Sequence, residues 1–210
     1  LNLTNLEHLL HFIIFLLSSK SSIFIMKYIK LLILFFLLVF PLIQLVASEN
    51  IVNRLKVGGN IVMIRHAYAP GNGDPTNFSI QDCSTQRNLS KRGIEQSKMI
   101  GKFFYENKIP VSIILSSEWC RCKDTAFYAF KDFKSKSFLN SFYDVRFKKN
   151  KNKQIIELKK YIKKWNGKKN LILITHYVVI DELLGVSSKS GEIIVSDLKF
   201  NVIGKLENNL

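Results

Sequence analysis

The sequence has 210 residues, of which 47% are hydrophobic and 22% are charged. This length suits one compact domain with a leader and is too short for two ordinary domains. The formal net charge of +15 favours anionic partners through long-range attraction, but it does not choose among phosphorylated molecules, acidic lipids and nucleic acid. The length therefore favours a single domain with a leader, and the composition leaves the kind of partner open.

The N-terminal quarter of the chain is typical of a leader. Residues 26–30 carry basic side chains, residues 31–46 form an apolar run, and small residues follow up to Ser48. This order predicts a signal peptide over residues 26–48 and export of the rest to the periplasm or the medium. A retained membrane anchor is the less favoured alternative, because the run is short for a bilayer span. Residues 1–25 are interpreted as an upstream extension without a role.

Residues 49–210 are predicted to form a single domain that keeps most of the positive charge. Residues 1–48 contain three of the lysines and one glutamate, so the remainder still has a formal net charge of about +13. It also keeps only two of the four histidines, His66 and His176. Both follow directly after apolar runs.

The pattern of this domain alternates between strands and helices. Short apolar, β-branched runs predict buried strands, and apolar residues at helical spacing predict helices, the first of them capped by Ser90. Such alternation favours an α/β three-layer sandwich with a mostly parallel central sheet. The predicted strands are 60–64, 111–115, 171–174, 192–195 and 200–206, the last two as a hairpin on the sheet edge, and the predicted helices are 90–107, 120–130 and 154–165.

Four cationic or titratable side chains follow the ends of three predicted strands. Arg65 and His66 come after the first strand, Arg121 after the second, and His176 after the third. Ligands of open α/β sheets bind outside the carboxyl ends of the strands. We therefore expect these side chains to lie together in one pocket.

The residues around these positions resemble four motifs of the histidine phosphatase superfamily, which has the phosphoglycerate mutase-like fold. Arg65-His66-Ala67 is similar to its Arg-His-Gly signature, residues 88–96 to its helix start, residues 116–126 to its segment from Ser-Ser through Arg to Thr-Ala, and Ile174-Thr175-His176 to its second histidine. One motif alone would be weak evidence, whereas the ordered set is specific. Tyr177 stands where the acid-phosphatase branch has aspartate, which favours a small member of the superfamily.

The resemblance implies phosphoryl transfer through a phosphohistidine. His66 would be the nucleophile, Arg65 and Arg121 would bind phosphate oxygens through their fork-shaped donors, and His176 would complete the pocket. Positioning and electrostatic stabilisation carry most of the work in such a reaction. The constellation requires no metal and no cofactor, and the histidines and cysteines lack the spacing of a zinc site.

The general acid for the leaving oxygen is not fixed by the sequence. Asp74 is the first choice, because it lies in the loop just after the expected nucleophile. Glu118, Asp144 and Asp181 are the alternatives. For each of these carboxylates taken singly, a role as a loop cap or a surface charge is the favoured interpretation.

The three cysteines of an exported protein allow one disulfide. Cys83 is expected to pair with Cys120 or Cys122 across the edge of the active site, and the third thiol stays free. Cysteine catalysis is disfavoured, because the segment from Cys120 to Arg121 is too short for an anion-binding loop.

The function that these observations predict is an exported, metal-independent phosphohydrolase acting on a phosphomonoester or a related phosphorylated envelope molecule. The alternative is a non-catalytic protein that binds phosphate groups in the same pocket. No nucleic acid is expected as a partner. The lysine-rich stretch 148–169 could contact an anionic membrane surface, but an ordinary amphipathic helix with its lysines in water is favoured.

Overall fold

The computed structural model describes residues 20–165 and 167–207. Most of the expected extension, with His8 and His11, therefore lies outside the described residues. The chain divides into two compact units, Leu1–Ser48 and Glu49–Leu210, at the position where the sequence predicts cleavage; cleavage itself stays a prediction. No helix among the described residues is both long and apolar enough to cross a membrane.

A six-stranded mixed sheet forms the middle of the second unit. Its order is β3-β2-β4-β1-β5-β6, with parallel pairs from β3 through β1 and antiparallel pairs from β1 to β6. The predicted α/β sandwich and the C-terminal hairpin are thus confirmed, while the hairpin makes the sheet mixed. The strands are β1 (Ile61–Arg65), β2 (Val111–Ser116), β3 (Lys134–Ser135), β4 (Asn170–Thr175), β5 (Ile193–Ser196) and β6 (Val202–Leu206).

Helices cover both faces of the sheet. Apolar side chains alternate along β1, so that Ile61 and Met63 join one buried cluster while Val62 and Ile64 join the other. The first cluster packs against α4 and α5, and the second against α2, α3 and the end of α1. The helices are α1 (Lys20–Val57), α2 (Lys91–Glu106), α3 (Cys120–Phe130), α4 (Lys151–Lys164) and α5 (Tyr177–Leu184).

The predicted helix boundaries agree with the structure to within one residue, except at the start of α4, and one further helix was not predicted. Ser90 caps α2 as expected, since its Oγ accepts a hydrogen bond from Gly93 N at 3.2 Å. The helix expected from residue 154 begins at Lys151 instead, because lysines and an asparagine at its start hide the helical apolar pattern. The short helix α5 was not predicted, because its apolar, β-branched start reads equally well as a strand.

The sheet register brings the strand ends to one level. Arg65 pairs with Thr175, and His66 N donates to Thr175 O at 2.9 Å, which extends the β1–β4 ladder by one residue. Ser117 N donates to Ile174 O at 2.9 Å on the other side of β4. The residues that follow β1, β2 and β4 therefore emerge side by side at the carboxyl edge of the sheet.

Candidate active site

One pocket at the carboxyl edge collects all of the residues that the sequence singles out for phosphate chemistry. The rings of His66 and His176 lie 5.4 Å apart, centre to centre, and both side chains are almost fully buried. Arg121 is 3% exposed, so its charge acts in a poorly solvated place. The pocket has a volume of about 90 Å³ and includes Arg65, His66, Asp74, Arg87, Trp119, Arg121, Tyr143, His176 and Tyr177.

His66 presents an unprotonated nitrogen to this pocket. Its Nδ1 lies 2.8 Å from the carbonyl oxygen of Ala67. Because a carbonyl can only accept, Nδ1 carries the proton and Nε2 keeps its lone pair. Arg121 Nε donates to that Nε2 at 3.3 Å. Burial, with the nearby charge of Arg121, holds the pKa of His66 well below its usual range, so the ring is neutral at physiological pH.

Asp74 occupies part of the cationic site in this structure. Its Oδ1 lies 2.8 Å from Arg121 Nη1 and its Oδ2 lies 3.2 Å from Nη2, a bidentate pair. Trp119 Nε1 donates to Oδ2 at 3.0 Å, and Arg87 N donates to Oδ1 at 3.1 Å. Burial alone would raise the pKa of Asp74, but these donors and the charge of Arg121 hold it below its usual value. The carboxylate is therefore ionised while the pair lasts.

Both ring nitrogens of His176 have polar neighbours. Its Nε2 lies 2.9 Å from Ser117 Oγ and 3.5 Å from the sulfur of Cys122, while Nδ1 lies 3.5 Å from Arg121 Nη2. The pKa of His176 is well below its usual range because of burial, and then because of the charges of Arg121 and its neighbours. The nitrogen on the Arg121 side is Nδ1.

Arg65 reaches the pocket from the end of β1. Its Nη1 donates to Ser188 O at 2.7 Å, and its guanidinium carbon lies 5.3 Å from the centre of the Tyr177 ring. Its Nε is buried without a hydrogen-bond partner, and burial lowers the pKa of this guanidinium while leaving it charged. Arg65 therefore has donor capacity left for an anion.

The structure separates the four carboxylates considered for the general acid. Asp74 and Asp144 line the pocket, but Asp144 is paired with Arg146 at 2.8 Å. Glu118 accepts a hydrogen bond from Asn140 Nδ2 at 2.6 Å and lines a different cavity. Asp181 is exposed on α5. Asp74 alone among them contacts a proposed phosphate-binding side chain.

Arg87 and Trp119 belong to the pocket although the sequence gives no reason to select them. Arg87 Nε donates to Gly73 O at 2.9 Å, and its Nη1 donates to Ala69 O. These bonds hold the loop that carries Asp74, where Gly73 has a positive φ of 67°. Arg87 directly precedes the helix-start motif, and Trp119 lies at an unspecified position inside the 116–126 motif, so closeness to a motif was the signal available.

The disulfide joins Cys83 to Cys120, which settles the pairing that the sequence left open. It ties the segment before α2 to the first residue of α3, directly beside Arg121. Cys122 is free and buried, and burial raises the pKa of its thiol to about 12. An un-ionised thiol is a poor nucleophile, which agrees with histidine rather than cysteine chemistry. Among the described residues, no group of three His, Cys, Asp or Glu side chains could hold a metal ion.

Comparison with solved structures identifies the fold. The structure of the protein histidine phosphatase SixA complexed with tungstate matches with a TM-score of 0.51 at 15% identity, covering 71% of this chain and 97% of that chain. A phosphoglycerate mutase from Thermus thermophilus matches with a TM-score of 0.49 at 14% identity, covering 70% of this chain and 98% of that chain. No family model and no curated protein sequence matches. On the first of these likenesses, the chain has the fold of the histidine phosphatase superfamily, as its motifs predict.

Proposed function

We propose that this protein is a phosphatase that hydrolyses a phosphomonoester through a phosphohistidine at His66. One observation carries the proposal: His66 Nδ1 is bonded to Ala67 O, which leaves the Nε2 lone pair beside Arg121 in a buried cationic pocket. A neutral nitrogen of this kind is a competent nucleophile for phosphorus. The matching fold and the ordered motifs support the same assignment.

The cations of the pocket suit the equatorial oxygens of a phosphoryl group. Arg121 offers two parallel N–H donors, which now bind the Asp74 carboxylate, and Arg65 keeps an unpartnered Nε. A phosphoryl group, like a carboxylate, accepts paired hydrogen bonds from a planar, charged guanidinium. His66 then lies on one side of the phosphorus, in position for in-line attack with the ester oxygen opposite.

Asp74 is proposed to protonate the leaving oxygen. When the phosphoryl group takes over the donors of Arg121, the carboxylate loses the partner that lowers its pKa, and burial then favours its protonated form. The ester P–O bond breaks, the P–Nε2 bond forms, and the proton of Asp74 passes to the departing alkoxide. In the second step water attacks phosphorus, gives its proton to Asp74, and releases phosphate and neutral His66.

The substrate and its location are proposed more coarsely. The pocket of about 90 Å³ accommodates a phosphoryl group and leaves most of the alcohol outside, so it sets no upper limit on the size of the leaving group. The leader-like segment supports an exported enzyme, and a phosphorylated envelope molecule is then the proposed substrate class. The exposed lysines of α4, whose buried face packs on the core, could add contact with an anionic membrane surface.

The test is release of phosphate from an aryl phosphate by the purified full chain, with and without a metal chelator, beside His66→Ala. We expect chelator-insensitive turnover that falls by at least about 10⁴-fold in the variant, because the covalent route is lost. Acid quenching of the wild type with a labelled substrate should trap an acid-labile phosphoenzyme. If the folded wild type binds phosphate but releases none from any ester tested, the non-catalytic phosphate-binding alternative replaces this proposal.

A further inference from the structure

A line of hydrogen bonds runs from the backbone of Glu118 to the ring of His176. Glu118 N donates to Asn140 Oδ1 at 2.8 Å, Ser117 Oγ lies 3.0 Å from the same Oδ1, and His176 Nε2 lies 2.9 Å from Ser117 Oγ. Ser117, Asn140 and His176 come from three separate places in the sequence. Their polar atoms meet behind the catalytic pocket.

The direction of every bond in this line is determined. A backbone N–H can only donate, so the Asn140 atom that faces Glu118 N is the oxygen; its Nδ2 donates to the Glu118 carboxylate at 2.6 Å. An amide oxygen can only accept, and Ser117 must therefore give its one hydroxyl proton to Asn140 Oδ1. What remains on Ser117 Oγ is acceptor capacity. The hydrogen between Ser117 and His176 then belongs to His176 Nε2.

We infer that Ser117 and Asn140 are positioning residues that fix the proton of neutral His176 on Nε2. An anion that binds at the opposite nitrogen, Nδ1, must then either carry a proton itself or cause the protein to take one up from solvent. This inference rests on the proposed phosphate site. Nδ1 lies 3.5 Å from Arg121 Nη2, which is one of the donors proposed for the phosphoryl group. An oxygen that approaches Nδ1 meets a lone pair, and only a proton between the two atoms turns this contact into a hydrogen bond.

The groups around His176 explain why the free ring is neutral and why an anion changes that. Arg121 and Cys122 face it from α3, His66 and Arg65 from the end of β1, and Arg87 from the segment before α2. Among the described residues no carboxylate is hydrogen-bonded to the ring, and Asp74 reaches it indirectly, through Arg121 and Trp119. A dianion in the pocket would supply the missing negative charge and favour the imidazolium.

The inference predicts a proton linkage that a rigid cationic pocket would not show. Sulfate is a suitable probe, because it stays a dianion across neutral pH and cannot bring the proton itself. Calorimetry of the full chain at pH 7.5 in two buffers of different ionisation enthalpy should show uptake of about one proton per sulfate in Asp74→Asn, with affinity falling about tenfold per pH unit. The wild type should take up as many as two protons, because its displaced Asp74 carboxylate is also protonated. Nitrogen-15 spectra of the free protein should show His176 protonated at Nε2.

Two serine variants distinguish the loss of this line of hydrogen bonds from general effects of mutation. In Ser117→Ala the Nε2 acceptor is gone and the Nδ1–H form becomes accessible, so in the Asp74→Asn background proton uptake should fall below half and the pH slope should flatten. Ser116→Ala is the matched control: it loses a hydroxyl that donates to Ser117 O at 2.9 Å but leaves the line intact. This control should behave like the wild type.

The outcomes distinguish this inference from the proposed function. Sulfate binding without proton uptake, a wild-type His176 protonated at Nδ1, or identical behaviour of Ser117→Ala and wild type would each overturn the inference while leaving the phosphatase proposal standing. Loss of the proton uptake in Asp74→Asn would assign the proton to the displaced carboxylate and also overturn it. A folded protein that binds no sulfate would count against the phosphate pocket itself, and the nitrogen-15 spectrum would still decide the tautomer.

Discussion

The pocket has two walls that are built in different ways. The strand-end wall consists of Arg65, His66 and His176, whose backbones are fixed by the ladder between β1 and β4 and by its one-residue extension. The loop wall consists of Asp74, Arg87, Trp119 and Arg121, which come from the segment before α2 and from the start of α3. The first wall is held by sheet hydrogen bonds, and the second by side-chain bonds and a disulfide.

This difference suggests a division of labour. Atoms that form and break bonds with phosphorus need fixed positions, which continuous strands supply. In the proposed mechanism the Asp74 carboxylate leaves Arg121 when the phosphoryl group arrives, which a loop held by a few side chains permits. Variants of the loop wall should therefore change affinity, leaving-group dependence or stability, and the following experiments test that expectation.

The largest effect in the loop wall is expected at Arg121. Arg121→Lys keeps the charge but loses the bidentate guanidinium that binds Asp74 in this structure, so kcat/KM should fall roughly 10²- to 10³-fold. Steady-state kinetics with an aryl phosphate measure it. Lys123→Arg, a neighbouring change on α3 outside the pocket, is the control and should leave kcat/KM unchanged. An Arg121→Lys enzyme within threefold of wild type would remove Arg121 from the phosphate site.

Asp74→Asn should separate poor from good leaving groups. The amide cannot protonate an alkoxide, so kcat for an alkyl phosphate should fall about 10²-fold, while an aryl phosphate, whose leaving group needs little help, should lose less than about threefold. Inorganic phosphate should also bind more tightly, because the carboxylate that competes for Arg121 is gone. Equal losses with both substrates would refute the acid role and point to Asp74 as a structural partner of Arg121.

Opening the disulfide should weaken stability more than chemistry. Cys83→Ser with Cys120→Ser removes a link across 37 residues, which should lower the free energy of unfolding by roughly 2–4 kcal/mol. Denaturant titration measures it, with reduced wild type as the comparison. Activity of the folded fraction should fall only a few-fold, through looser placement of Arg121. An unchanged unfolding midpoint would show that the loop wall is held by its side-chain bonds alone.

The smallest effect concerns the pH dependence of stability. Both buried histidines have a lowered pKa in the folded state, so the unfolded chain takes up protons first as the pH falls below about 6.5. Stability should then decrease with falling pH, by up to about 1.4 kcal/mol per pH unit for each histidine. Urea titrations at pH 7.5 and 5.5 measure the slope, which should be shallower in His176→Gln. A slope that this variant does not change would mean that His176 takes up the same number of protons in the folded and the unfolded state, which contradicts a lowered pKa in the fold.

The strand-end wall was predictable because its signals are local and periodic. Apolar β-branched runs mark β1, β2 and β4, and parallel strands bring their carboxyl ends to one edge, so that His66 and His176 could be placed together from the sequence. The cap at Ser90 and the C-terminal hairpin were predictable for the same reason. Weak periodicity hid the start of α4 and the whole of α5.

In the loop wall, Arg121 and Asp74 were predicted from their sequence positions. The contacts that hold this wall were not predictable, because they join residues far apart in the sequence. The sequence by itself determined which residue types end the strands, and hence the kind of chemistry that is proposed for the pocket. Only the tertiary structure decided that Asp74 lies on Arg121, that Arg87 holds the loop, that Cys83 pairs with Cys120 and that Asn140 reaches Ser117. The physical reason is that strand ends are aligned by backbone hydrogen bonds common to all sheets, whereas loop contacts depend on the shape and charge of particular side chains.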